Sequence, residues 1–267
     1  MPFASAVDAD IWWESTGSGE PVVLINGLGS PAATWFRLAR LLSSDYTVIT
    51  CDNRGTGQTV APSAHHQIST MAADVAAVLT ASGHARAHVV GHSMGGFIAQ
   101  ELALEYPQVV RSLVLAATHV GIPHAASDAD PAAAAALSAA ASLAPADRAT
   151  ALRGLLYSRG TSEHAILEDE AVRAKHPTSA EGYRDQLLGA SAWERLSDLD
   201  TMTIPTLVIH GTDDRIVPPS WGERLAAAIP GARLELHSDA GHALFTDAER
   251  AVADTIKRFL NLQAVPA

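Results

Sequence analysis

Gly91-His92-Ser93-Met94-Gly95 places one serine between two glycines, directly after the β-branched run His88-Val89-Val90 and before a stretch of helical apolar spacing, Phe97 to Tyr106. A strand that turns sharply into a helix holds the residue at its apex clear of both, and the flanking positions must be small because side chains there would collide. Ser93 is therefore the candidate nucleophile. A serine hydroxyl is weakly nucleophilic near neutral pH, so it needs a base to take its proton and an acid to orient that base. The candidate base is His242, in Asp239-Ala240-Gly241-His242-Ala243, after the strand-like Arg233 to His237. The candidate acid lies in Leu207-Val208-Ile209-His210-Gly211-Thr212-Asp213-Asp214, where a buried strand runs into two carboxylates, one of which should face His242.

The elements that must hold these residues are legible in the apolar pattern. Short β-branched runs recur at Val22 to Ile25, Val48 to Thr50, His88 to Val90, Leu113 to Leu115 and Leu207 to Ile209. Asp10 to Glu14 and Arg233 to His237 add flanking strands. Between them lie helical stretches at Trp35 to Leu42, Met71 to Leu79, Phe97 to Tyr106 and Trp221 to Ile229, with a last helix from Thr246 to about Leu260. Such alternation predicts an α/β fold, a mostly parallel sheet with helices on both faces. The rhythm breaks between about Gly121 and Asp200, where alanine runs open a region of helical composition without a clear strand. We read it as an insertion at the carboxyl end of a strand, where additions shape a pocket. A flexible linker over Asp128 to Ser142 is the other reading of its start.

Composition excludes several classes. The 18 Lys and Arg against 29 Asp and Glu give 18 − 29 = −11, with no basic run, so nucleic acid and anionic membranes are not expected partners. One cysteine, Cys51, allows no internal disulfide and is expected to be buried and inert. No signal peptide and no apolar run of spanning length is present, so the chain is expected to be soluble and cytoplasmic. His65, His66, His84, His119, His124, His164 and His176 lack ligand spacing and are expected on surfaces or loops, and no metal is assigned. The glycines at 27 to 29 and 55 to 57 fit neither a phosphate loop nor a dinucleotide fingerprint, so no cofactor is expected. His92, Trp12, Trp13 and Trp221 are read as structural.

Taken together, these motifs resemble the α/β-hydrolase superfamily along nearly the whole chain, in the order Ser93, Asp214, His242. Relatives carry the acid three residues after the glycine that ends the strand, followed by x-x-Val-Pro, which places that role on Asp214 and leaves Asp213 as a turn residue. Asn26-Gly27-Leu28-Gly29 matches the family's oxyanion loop, although many relatives have His in place of Asn26. Asp52-Asn53-Arg54-Gly55-Thr56-Gly57 matches a further motif. The resemblance implies an oxyanion hole from the backbone N–H groups of Leu28 and Met94, and a core of residues 1–120 and 201–267 under a helical cap of residues 121–200. It implies a serine hydrolase acting on a small carboxylic ester or lactone, most similar to bacterial 3-oxoadipate enol-lactonases and cofactor-free haloperoxidases. Carbon–carbon bond hydrolysis or perhydrolysis would use the same triad. A ligand-binding protein without turnover, or a biosynthetic protein using the site for cyclisation, is the alternative of another class.

Overall fold

Val22, Val23, Leu24 and Ile25 are all fully buried, which requires a strand covered on both faces. They lie in β3 (Glu20–Ile25), near the middle of one eight-stranded sheet in a computed structural model that describes residues 2–63, 66–121 and 130–263. The other strands are β1 (Phe3–Ala6), β2 (Ala9–Gly17), β4 (Tyr46–Cys51), β5 (Ala87–His92), β6 (Val110–Ala116), β7 (Thr206–Gly211) and β8 (Arg233–His237). Their order is β1-β2-β4-β3-β5-β6-β7-β8, antiparallel at β1–β2 and β2–β4 and parallel elsewhere. The chain runs from β3 outward to β4 and then returns across β3 to β5, so a crevice opens beyond the carboxyl ends of β3 and β5.

Alternate residues of the strands feed two cores. Val23, Ile25 and Val89 pack with α2 (Ile68–Ala81), α3 (Met94–Glu105) and α8 (Pro219–Ala228). Val22, Leu24 and Val90 pack with α1 (Phe36–Leu42) and α10 (Glu249–Asn261). In α10 the buried Val252, Ala253, Ile256, Phe259 and Leu260 recur at one face of a 3.6-residue period.

Four helices stand between β6 and β7: α4 (Pro131–Ala140), α5 (Pro145–Leu156), α6 (Glu163–Lys175) and α7 (Ala180–Ser191). Asp130, Ser162 and Ser179 cap α4, α6 and α7 by accepting the N–H groups of Ala132, Ala165 and Gly182. The alanine run 131–140 is thus helical rather than a flexible linker; the preceding residues 122–129, with Asp128, lie outside the described residues. Arg37 of α1 fastens these helices to the core, reaching Asp169 at 3.1 Å and Glu168 at 2.7 Å on α6 and Glu249 at 3.4 Å on α10.

Two expectations are corrected. β1 was not among the expected strands, and the final helix is two helices, α9 (Leu244–Asp247) and α10, separated at Ala248 where φ is −131°. His66 and His119, expected on surfaces or loops, lie in loops and are buried there. The ring of His119 packs against Phe97 and Trp221, and its Nδ1 accepts the N–H of Gly121, so burial leaves that nitrogen satisfied. His84, His164 and His176 are partly or fully exposed, and His65 and His124 lie outside the described residues. Among the described residues no helix is long and apolar enough to cross a membrane.

Candidate active site

Ser93 sits at the apex between β5 and α3 with φ 55° and ψ −122°, a sparsely populated conformation for a residue with a β-carbon. The surroundings hold it there. Its N–H donates to the Ala116 carbonyl at 2.9 Å, and its own carbonyl accepts the Gly96 N–H and the Thr118 hydroxyl, both at 2.8 Å. The flanking glycines are required by space. A β-carbon at Gly91 would run into the carbonyl oxygen of Gly95, and one at Gly95 into that of Ile25.

His242 follows β8 in a loop fixed from two sides. Asp247 accepts the Gly241 N–H at 2.7 Å and also binds Ser158 N–H and Thr161 Oγ1, while Ala243 N–H donates to the Leu156 carbonyl at 2.8 Å. His242 Nδ1 lies 2.9 Å from Asp214 Oδ2. The other oxygen of Asp214 accepts the N–H groups of Ile216 and Val217, each at 2.9 Å. Burial alone would raise the Asp214 carboxyl, but His242 and His210 beside it hold it well below the usual carboxylate range. A carboxylate in this position fixes a proton on Nδ1 and leaves Nε2 able to accept one. Asp213 is exposed, so of the two adjacent acids Asp214 is the one that meets His242.

Ser93 and His242 face one cavity of about 790 Å³. Its floor comes from the sheet loops and its walls largely from the inserted helices, with Leu137, Leu152, Leu156, Tyr157, Leu167 and Tyr183 making it mostly apolar. Leu28 lines it, and Met94 begins α3 beneath Ser93. Among the described residues neither the Leu28 nor the Met94 N–H donates to a protein acceptor. Asn26 donates from Nδ2 to the Pro31 carbonyl at 2.8 Å and to Thr34 Oγ1 at 3.1 Å, so it braces the loop from within. The fifty-second residue helps: Asp52 accepts the Ala32 N–H at 2.7 Å. Arg54 forks onto Asp74, in keeping with a turn residue that does no chemistry.

Several residues at this site carry no sequence signal. Gln186 of α7, fully buried, accepts the Gly29 N–H at 2.8 Å and donates to the Arg54 carbonyl and Thr56 Oγ1. Thr178 donates to the Gly29 carbonyl, and Arg173 to Ser30 Oγ. These contacts span up to 157 residues of sequence, beyond the reach of local pattern. His92, read as structural, donates from Nε2 to the His242 carbonyl at 2.9 Å and lines the cavity. Removal from water, aided by the neighbouring His242, pushes its imidazole down to about 3, so it stays neutral. His210 lies 3.4 Å from Asp214 and is held by the Val217 carbonyl. Among the described residues no group of three or more His, Cys, Asp or Glu is arranged to hold a metal ion.

A family model described as the alpha/beta hydrolase fold matches residues 20–249. A putative non-heme bromoperoxidase, BpoC, of Mycobacterium tuberculosis is 35% identical over 252 residues, covering 92% of this chain and 96% of that protein. A putative carbamate hydrolase, RutD, of Azorhizobium caulinodans is 33% identical, with 88% of each chain covered. Among solved structures, the enol-lactonase of Burkholderia xenovorans LB400 superposes with a TM-score of 0.87 at 25% identity, covering 97% of this chain and 100% of the other.

Proposed function

The chain belongs to the α/β-hydrolase family, and on that premise we propose that it is a serine hydrolase that cleaves a carboxylic ester or lactone through an acyl-enzyme. One observation carries the reading: the serine at the strained apex shares a cavity with a histidine whose Nδ1 is bonded to a buried carboxylate. In this mechanism Asp214 orients His242, and His242 accepts the proton of Ser93 as its oxygen attacks the carbonyl carbon. The oxygen that becomes negative receives the N–H groups of Leu28 and Met94, at the end of a helix whose dipole favours that charge. Collapse breaks the ester bond, and His242 returns the proton to the departing alkoxide. Water, deprotonated by the same histidine, then hydrolyses the acyl-serine. Residues 121–200 act as the cap over residues 1–120 and 201–267, and the substrate is a small molecule held by the apolar walls.

The test is treatment of the purified protein with a fluorophosphonate probe, mass-spectrometric location of the adduct, and a panel of 4-nitrophenyl esters and lactones. An adduct on Ser93 with ester turnover is expected. Folded protein that neither labels nor turns over would overturn the reading in favour of ligand binding without catalysis.

The similarity to a putative bromoperoxidase favours one second reading, in which hydrogen peroxide replaces water as the group attacking the acyl-serine. Peroxide-dependent bromination that requires a carboxylic acid, and that is lost with Ser93→Ala, would support it.

A further inference from the structure

The charged groups around the cavity are not all matched. Among the described residues its lining holds two carboxylates, Asp169 and Glu170, and two guanidinium groups, Arg148 and Arg173. Both carboxylates are satisfied by arginines that stand outside the lining. Asp169 takes Arg37 on one oxygen and the Tyr157 and Thr246 hydroxyls on the other. Glu170 is held in a two-bond fork by Arg153 Nε at 2.9 Å and Nη2 at 2.7 Å. Arg148 is buried, engaged with the carbonyls of Ala140, Leu143 and Thr178, and lies over the Tyr183 ring at 4.3 Å.

Arg173 differs from all of these. Its one hydrogen bond among the described residues runs from Nη1 to Ser30 Oγ at 2.7 Å, and it has no carboxylate partner. Among the described residues the Nε and Nη2 donors have no protein acceptor. That edge is the one that in Arg54 and Arg153 holds Asp74 and Glu170 in a fork. Ser30 stands two residues beyond Leu28, a span of at most about 7 Å of extended chain. The Arg173 charge also contributes to the lowering at His92, next to Ser93, so its field reaches the reacting centre. A planar guanidinium, partly exposed at the wall of a mostly apolar cavity and with a two-donor edge that meets no protein acceptor among the described residues, is suited to a carboxylate.

Resting on the serine hydrolase reading above, we infer that Arg173 anchors an anionic group of the substrate, so that the enzyme acts on esters or lactones that carry a free carboxylate. The Ser30 bond holds one end of the guanidinium and leaves the Nε and Nη2 edge to receive the carboxylate, while the substrate's carbonyl lies at Ser93.

The experiment compares mono-4-nitrophenyl adipate with 4-nitrophenyl heptanoate, two acyl chains of similar length of which only the first ends in a carboxylate, after subtraction of the uncatalysed rates. We expect wild type to prefer the adipate ester by roughly tenfold or more in kcat/KM, in line with a charge-assisted two-bond contact. Arg173→Gln should collapse that ratio and Arg173→Lys should return part of it. Absence of a preference in wild type, or a ratio unchanged in Arg173→Gln because both esters fall together, overturns the proposal. Free adipate binding, measured by calorimetry on wild type and Arg173→Gln, separates the two readings. Adipate binding that depends on Arg173 without any ester turnover would sink the hydrolase reading and keep the anion site. Turnover of neutral esters with no Arg173-dependent adipate binding would do the reverse.

Discussion

Ser93 is held at φ 55° by hydrogen bonds on both sides of its peptide, a conformation that costs roughly 1–3 kcal/mol and that glycine adopts freely. Ser93→Gly should therefore be inactive and yet more stable than wild type, by about 1 kcal/mol once the greater freedom of glycine in the unfolded chain is allowed for. Urea unfolding checks it, and a less stable variant would mean that the apex is not strained. The paired acids give a second contrast. Asp214→Asn should lower kcat by roughly 10⁴-fold, because an amide favours the wrong imidazole tautomer, whereas Asp213→Asn, on an exposed side chain, should change it little. Equal losses would contradict the assignment. At this scale the three candidate residues could be picked out because each follows the end of a strand in a short motif, and the structure places Ser93 and His242 on one cavity with Asp214 bonded to His242. Arg173 and Gln186 could not be, since what distinguishes them is which loop they meet across the fold.

Among the elements, the central strands were legible because burial on both faces demands unbroken β-branched and leucine runs. β1, with Phe3, Ala4, Ser5 and Ala6, offers no such run and owes its place to pairing with β2. The break at Ala248 was hidden because residues on either side of it are apolar at helical spacing. The inserted helices were legible by composition only, and part of what seats them is ionic, beside the neutral hydrogen bonds of Gln186 and Thr178 and apolar packing. Arg37→Met would leave Asp169 buried without its cation, although Tyr157 and Thr246 still donate to it, so we expect a loss of about 3 kcal/mol. Adding Asp169→Leu to Arg37→Met should recover most of that loss in thermal unfolding. A double variant as unstable as the single one would show that the tie works through packing of the arginine stem instead.

For the molecule as a whole, acid sensitivity follows from histidines that folding keeps neutral. Burial holds His119 down at about 4 and His92 at about 3, against about 6.5 in the unfolded chain. The unfolded state thus binds protons that the folded state refuses, so stability is full above pH 6.5 and is lost as pH falls through the folded values, by up to about 1.4 kcal/mol per pH unit for each group. His119→Asn, which keeps an acceptor for the Gly121 N–H, should lose less stability than wild type between pH 7 and pH 4. Parallel urea titrations at the two pH values measure the difference, and identical slopes would refute it.

Cys51 offers a practical route to the motions of this fold. It is the chain's single cysteine, it lies at the inner end of β4, and burial raises its thiol to about 12, out of reach of maleimides and disulfide reagents. The wild-type protein is in effect thiol-silent. A cysteine introduced at Leu167, half exposed on α6 beside the cavity, would take a fluorophore at one known place without first deleting a native thiol. Dye emission could then follow cavity opening in single molecules during turnover.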